Sequence, residues 1–139
     1  GTVYGPRNRG ADVISIFIQN ALKNIDLHVK GTGEKKRNFI YVEDLAEGAI
    51  TGLTKEAKNQ IFTIAGLAST SIMDLAMLIK DVFEDKIKIQ VNDQMDREDD
   101  YEGNISGIDE TIKILNWKPK VNLLDGLVRT IDWYKNEAA

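Results

Sequence analysis

Cysteine is absent from this sequence, and histidine occurs once, at His28. Without thiols there is no disulfide framework and no thiolate nucleophile, and a reducing cytoplasm is the expected setting. A zinc site built on His28 would need three or more carboxylates, so no metal is expected. No apolar run approaches the roughly 20 residues that span a bilayer, and no amino-terminal signal pattern is present. A strong excess of one charge is also missing. Eighteen Lys and Arg stand against 22 Asp and Glu, a net charge of -4, which gives no footing to bulk nucleic-acid binding. There is no initiator Met: Gly1-Thr2-Val3-Tyr4-Gly5-Pro6-Arg7 reads as the interior of a longer chain.

What is present fits one domain. The 139 residues are 42% hydrophobic, enough to bury a real core but too few for two full domains. Val13, Ile14, Ile16, Phe17, Ile18, Ala21, Leu22 and Ile25 form an apolar stripe that predicts a helix capped by Asp12. Leu27, His28 and Val29 predict a short strand ending at the Gly31-Thr32-Gly33 turn, and residues 38–42 a second strand. Asp44 is placed to start a helix with Leu45, Ala46, Ala49, Ile50 and Leu53 on its apolar face. Residues 60–64 alternate as a strand, and Ser69-Thr70-Ser71 precedes a helix with Ile72, Leu75, Ala76, Ile79, Val82 and Phe83 inward. Ile87, Ile89 and Val91 alternate in a further strand. Residues 93–102 hold six carboxylates and one cation, Arg97, and predict a loop. Ser106 to Asp109 resembles a capping box for a helix ending near Leu115, which Trp117-Lys118-Pro119 breaks. Leu124, Leu127, Val128, Ile131 and Tyr134 mark a last helix. The fold class is α/β, with a small sheet whose strands at Val3-Tyr4 and 60–64 lack obvious neighbours.

In order, Val3-Tyr4-Gly5-Pro6-Arg7, the segment 27–33, the run Arg37-Asn38-Phe39-Ile40-Tyr41-Val42-Glu43-Asp44-Leu45-Ala46, and Phe62-Thr63-Ile64-Ala65-Gly66 form a series. Ser71 to Ala76, residues 115–121, Gly126-Leu127 and Trp133-Tyr134 complete it. The series resembles the C-terminal portion of extended short-chain dehydrogenases, the NAD-dependent nucleotide-sugar epimerases and dehydratases, over nearly the whole chain. The resemblance implies a Rossmann-type fold. This chain would supply a substrate-binding lobe (residues 1–139) plus the last elements of the cofactor sheet, and the N-terminal NAD lobe would be absent. It implies NAD or NADP as cofactor and a UDP- or dTDP-sugar as substrate in the intact parent. In that family a glycine-rich phosphate loop and a Tyr-x-x-x-Lys pair carry the chemistry. Neither is found here: Tyr4, Tyr41, Tyr101 and Tyr134 have no Lys four residues on. The fragment alone is therefore expected to be catalytically inactive and to hold no cofactor.

Site residues follow from the same resemblance. Tyr4, Gly5 and Pro6 match the strand-end turn beside the nicotinamide, though a Gly-Pro turn is also a common loop. Leu27, His28 and Val29 match the segment along the nucleotide base; the plainer account is an edge strand with His28 outward. Arg37 matches the Arg on the diphosphate, where a planar fork pairs two oxygens; from charge alone, Lys35-Lys36-Arg37 is a solvated hairpin turn. Arg97 matches a second diphosphate Arg, but Glu98 stands where relatives carry Gly, and a carboxylate there opposes an anion. Asp44 reads as a helix cap, and Trp117 and Pro119 as packing and helix termination. Asn104-Ile105-Ser106 fits a glycosylation sequon without a secretion signal.

Epimerase is preferred over dehydratase, because no dehydratase-specific acid pair is found in this stretch. A rival reading is a non-catalytic member that binds a nucleotide, RNA or a protein; a third is a self-standing interaction domain. Exposed strand edges and helix faces would favour a homo-oligomer.

Overall fold

The structure is a computed structural model and describes residues 1–84, 86–92 and 105–137. The expected acidic loop, with Arg97 and all six of its carboxylates, lies outside the described residues, as does Asn104 of the sequon. Strands and helices alternate as β1 (Thr2–Tyr4), α1 (Val13–Leu22), β2 (Leu27–Lys30), β3 (Lys36–Tyr41), α2 (Val42–Thr51), β4 (Ser69–Ser71), α3 (Ile72–Val82), β5 (Ile89–Asn92), α4 (Ile108–Leu115) and α5 (Leu123–Glu137). A 3-10 turn, Lys55–Ala57, follows α2.

β3 is the centre of a three-stranded sheet in the order β1-β3-β4. Its second half runs parallel to β1, with Tyr4 opposite Tyr41. Its first half runs antiparallel to β4, with Arg37 opposite Thr70. β2 pairs with β5 in a separate parallel sheet. The hairpin expected around Lys35-Lys36-Arg37 is therefore corrected: β2 and β3 belong to different sheets. Parallel partners require a crossover, and α3 supplies it between β2 and β5, while Gly31 and Gly33, both at positive φ, turn the chain away from β2.

The helix ends show which local signals hold. Asp12 caps α1, its carboxylate accepting the Ser15 N–H at 3.1 Å, and Ser71 caps α3, accepting the Asp74 N–H at 2.9 Å. α2 differs from expectation. Its cap position is Tyr41, without a side-chain bond, and Asp44 lies inside the first turn, buried, accepting the Val121 N–H at 2.9 Å. α4 is preceded by Gly107 at φ +81 rather than by a Ser106 cap.

Several expected faces are rotated. On α1, Ile14, Phe17, Ile18 and Ala21 are buried, but Ile16 is exposed, as is Ile25 beyond the helix end. On α2 only Leu45 of the expected stripe packs inward; Ala46, Ala49, Ile50 and Leu53 are exposed. The buried side is Asp44 and Gly48, because the Trp117 ring lies where a Cβ on Gly48 would meet it at 3.0 Å. On α5, Leu124 and Val128 face outward while Gly126, Leu127, Thr130 and Ile131 are buried. The Tyr4 phenol dictates that rotation, since a Cβ on Gly126 would lie 2.0 Å from its oxygen. Residues 60–64 are extended but form no strand. The Thr63 N–H turns to the Thr111 hydroxyl at 3.0 Å, the Ile64 carbonyl accepts from the Gly1 amino group at 3.3 Å, and Ile61 is fully exposed.

Two apolar cores flank β3. The larger joins Tyr4, Phe39 and Tyr41 to Ile14, Phe17 and Ile18 of α1, Leu75 and Ile79 of α3, and Leu127 and Ile131 of α5. The smaller gathers Ile40, Ala57, Leu115 and Trp117. Alternation along β3 divides them, odd residues facing one core and Ile40 the other.

Candidate functional site

β1 and β3 are parallel and end together, so their carboxyl ends form one rim, the position where ligands settle in open α/β sheets. Tyr4, Gly5 and Pro6 make the turn leaving that rim. Gly5 stands at φ +143, and a Cβ there would meet Val42 Cγ1 at 2.6 Å. The glycine is thus required both by its backbone and by the close approach of α2. The Tyr4 ring is not part of an open surface. It stands edge-on to Tyr41 at 5.6 Å and to Phe39 at 6.3 Å, with its hydroxyl donating to the Leu123 carbonyl at 3.4 Å. Burial, with Tyr41 and Asp44 adding to it, pushes the Tyr4 phenol far up, which removes it as a base near neutrality. The backbone of the turn is what remains to face a ligand.

Beside the rim, Arg129 of α5 places its guanidinium 5.7 Å from the Tyr41 ring centre and 3.6 Å from the Glu43 carboxylate. Burial raises the Tyr41 phenol and Glu43 adds to this, with Arg129 acting against both. No sequence signal had marked Arg129. Asp44, assigned to a cap, instead clasps the 119–123 segment to α2, aided by an ion pair between Lys120 and Glu47.

Arg37 sits at the opposite end of β3 from this rim, about 13 Å away along four residues. It is half-buried, and its Nη1 donates to the Lys36 carbonyl at 2.9 Å. By alternation it shares the face of Phe39 and Tyr41, whose rings are buried in the larger core, so that face of β3 is closed between Arg37 and the Gly5 turn. Nearby, a cleft of about 260 Å³ is bounded by Phe39, Gly66, Ala68 and Thr70 on one side and Lys120 and Leu123 on the other. Asn38 braces that wall, its amide donating to the Gly66 carbonyl at 3.0 Å.

Leu27 and Val29 are buried in the larger core, while His28 and Lys30 are exposed. The structure therefore does not bring the apolar side chains of this segment to the surface. A base along β2 would meet the outward His28 and the backbone instead. Among the described residues no group of three His, Cys, Asp or Glu is placed to hold a metal, and no helix is long and apolar enough to cross a membrane. For a dinucleotide, the Gly5 turn fits one edge of a site, and no glycine-rich pyrophosphate loop occurs in the sequence.

The pairing of parallel strands with flanking helices places this fold in the Rossmann-type class of short-chain dehydrogenases, as a partial unit of it. Residues 1–65 match the NAD dependent epimerase/dehydratase family. The chain is 33% identical over 137 residues to a dTDP-D-glucose 4,6-dehydratase of Bos taurus, and 35% identical over 140 residues to a putative UDP-glucose 4-epimerase of Methanocaldococcus jannaschii. Each alignment covers 96% of this chain and 39% or 43% of the relative. Among solved structures, Pal from Bacillus thuringiensis matches with a TM-score of 0.87 at 31% identity, over 98% of this chain and 44% of that one. UDP-glucose 4-epimerase from Thermotoga maritima, solved with UDP-glucose, matches with a TM-score of 0.90 at 26% identity, over 99% of this chain and 45% of that one. The relatives and solved structures that the chain resembles are NAD-dependent nucleotide-sugar epimerases and dehydratases, and the chain spans about two fifths of the length of the curated relatives it matches.

Proposed function

We propose that residues 1–139 are the nucleotide-sugar-binding portion of an NAD-dependent nucleotide-sugar epimerase. Its dinucleotide-binding lobe, with the catalytic Tyr and Lys, would be supplied by sequence outside this chain. The observation that carries the reading is the match, over 99% of this chain, to an epimerase solved with UDP-glucose. The geometry of β3 supports it. Arg37 at one end suits a diphosphate, as a planar fork pairing two oxygens, and the Gly5 turn at the other end suits the nicotinamide side. Arg97 is assigned to the diphosphate as a second cation. The outward side of Leu27, His28 and Val29 is assigned to the base, through His28 and the strand backbone. In this division the chain binds and orients the substrate, and the hydride and proton transfers belong to the other lobe. The chain alone is inactive, the enzyme is cytoplasmic, and copies of it associate.

Titration calorimetry with UDP-glucose and dTDP-glucose tests the assignment in protein carrying both lobes. Arg37→Ala is expected to weaken binding by about 1.5–3 kcal/mol, the range for a charge-assisted hydrogen bond. Unchanged affinity in that variant would remove Arg37 from the site. Absence of binding by the wild type would end the nucleotide-sugar reading altogether.

A further inference from the structure

The outward surface of the β2–β5 sheet holds, beside the strand already assigned to the base, a residue of β5 that the assignment above leaves unused. His28 and Gln90 are register partners on the two parallel strands, so their backbones lie about 4.8 Å apart. Both are exposed, on the side opposite the buried Leu27 and Val29. Gln90 is not free to turn. Its Nε2 donates to Asp26 Oδ2 at 3.1 Å, while Asp26 Oδ1 accepts the Lys88 N–H at 3.0 Å. A carboxylate accepts only, so the amide nitrogen must face Asp26. That orientation fixes the order of the amide oxygen and the remaining N–H of Gln90, on the face that it shares with His28. The hydrogen bonds from Gln90 and Lys88 also hold the Asp26 carboxyl below its ordinary value, which keeps the tether ionised near neutrality.

We infer that Gln90 is a specificity-determining residue for the base of the nucleotide, reading uracil or thymine while His28 lies against the ring. The inference rests on the assignment of this strand to the base. Uracil and thymine present an N3–H donor beside a carbonyl acceptor, which complements the acceptor and donor that Gln90 offers. Cytosine presents the reverse, an N3 acceptor beside an amino donor. Reading it would require the amide to flip, and Asp26 opposes the flip. Discrimination built from hydrogen bonds to one base edge is stronger than any built from ring size alone, because the wrong base leaves polar groups unpaired.

The test is the affinity of the protein for UDP, dTDP and CDP, with Gln90→Leu, Asp26→Asn and Arg37→Ala alongside the wild type. The wild type is expected to bind UDP and dTDP at least tenfold more tightly than CDP. Gln90→Leu should erase that ratio by weakening UDP and dTDP while leaving CDP unchanged. Asp26→Asn, which frees the amide to flip without touching the base, should reduce the ratio in part. Arg37→Ala should weaken all three nucleotides equally and keep the ratio. A ratio that survives Gln90→Leu overturns the inference. A wild type without preference, in which Arg37→Ala still weakens every nucleotide, overturns it as well and leaves the nucleotide-sugar reading standing. A wild type that binds none of the three ends both. Both residues are at the surface, and melting temperatures within a degree or two of wild type would show that the variants fold.

Discussion

The two cores beside β3 differ in how completely they are enclosed. On the Tyr4, Phe39 and Tyr41 side, α1, α3 and α5 close over the strand, and Leu75, Ile79 and Leu127 are buried from every direction. On the Ile40 side, four buried residues suffice, and the neighbouring apolar groups Ile50, Leu53 and Ile61 stand in solvent. Composition does not separate the two regions. Cover does: an amphipathic stripe names the side a helix offers to a core, and becomes burial only where another element occupies that side.

The largest expected effect lies at the seam between the cores. A Cβ on Gly66 would fall 1.8 Å from the Phe39 carbonyl oxygen, and backbone on both sides leaves no flexible side chain to yield. Gly66→Ala should cost about 4 kcal/mol or more, read as the shift in urea midpoint. If the midpoint moves by less than a quarter of that, the two segments are not held against each other.

Next comes the contrast between the cores themselves. Leu75→Ala in the enclosed core should cost about 3 kcal/mol through lost burial and the cavity left behind. Leu53→Ala on the open side should stay within about 0.5 kcal/mol. Equal losses at the two positions would mean that the open side is covered in solution.

The smallest effect concerns a group outside both cores. Hydrogen bonds from Gln90 and Lys88 depress the Asp26 carboxyl. A depressed folded-state value means that the stabilisation is complete above the unfolded pKa and is lost as pH falls through the folded one. Asp26→Asn should therefore flatten the acid limb of the stability curve slightly below about pH 4. The limb should stay unchanged if the carboxylate has no such partners in solution.

The same contrast explains what the sequence could disclose. The cap at Asp12 was legible because its bond spans three residues and depends on nothing distant. The inward faces of α1 and α3 were largely legible because both helices are covered. The outward Ala46, Ala49, Ile50 and Leu53 were not, since their periodicity equals that of a buried stripe and the Trp117 ring chose the other side of α2. The strand at 60–64 was misread for the same reason: extended residues become a strand only beside a partner. For the site, the positions of Arg37, Gly5 and His28 were named from motif order. The outward His28 was legible from alternation in a short strand, whereas the inward turn of Tyr4 was not, because it depends on α5 packing from a remote part of the chain. The roles of Asp44 and Gln90 were hidden because their partners lie 77 and 64 residues away.

β3 serves two neighbours with six residues, β4 along its first half and β1 along its second. A strand with a single partner can slide by one residue and disturb one ladder. Here a slide would exchange Ile40 with its aromatic neighbours, sending Phe39 and Tyr41 toward Trp117 and a lone Ile toward Tyr4, and would break both ladders together. One insertion or deletion within residues 36–41 would then also turn Arg37 to the other side of the sheet. The same short stretch of backbone thus acts as a gauge, setting packing, pairing and the direction of the charged side chain in a single alignment.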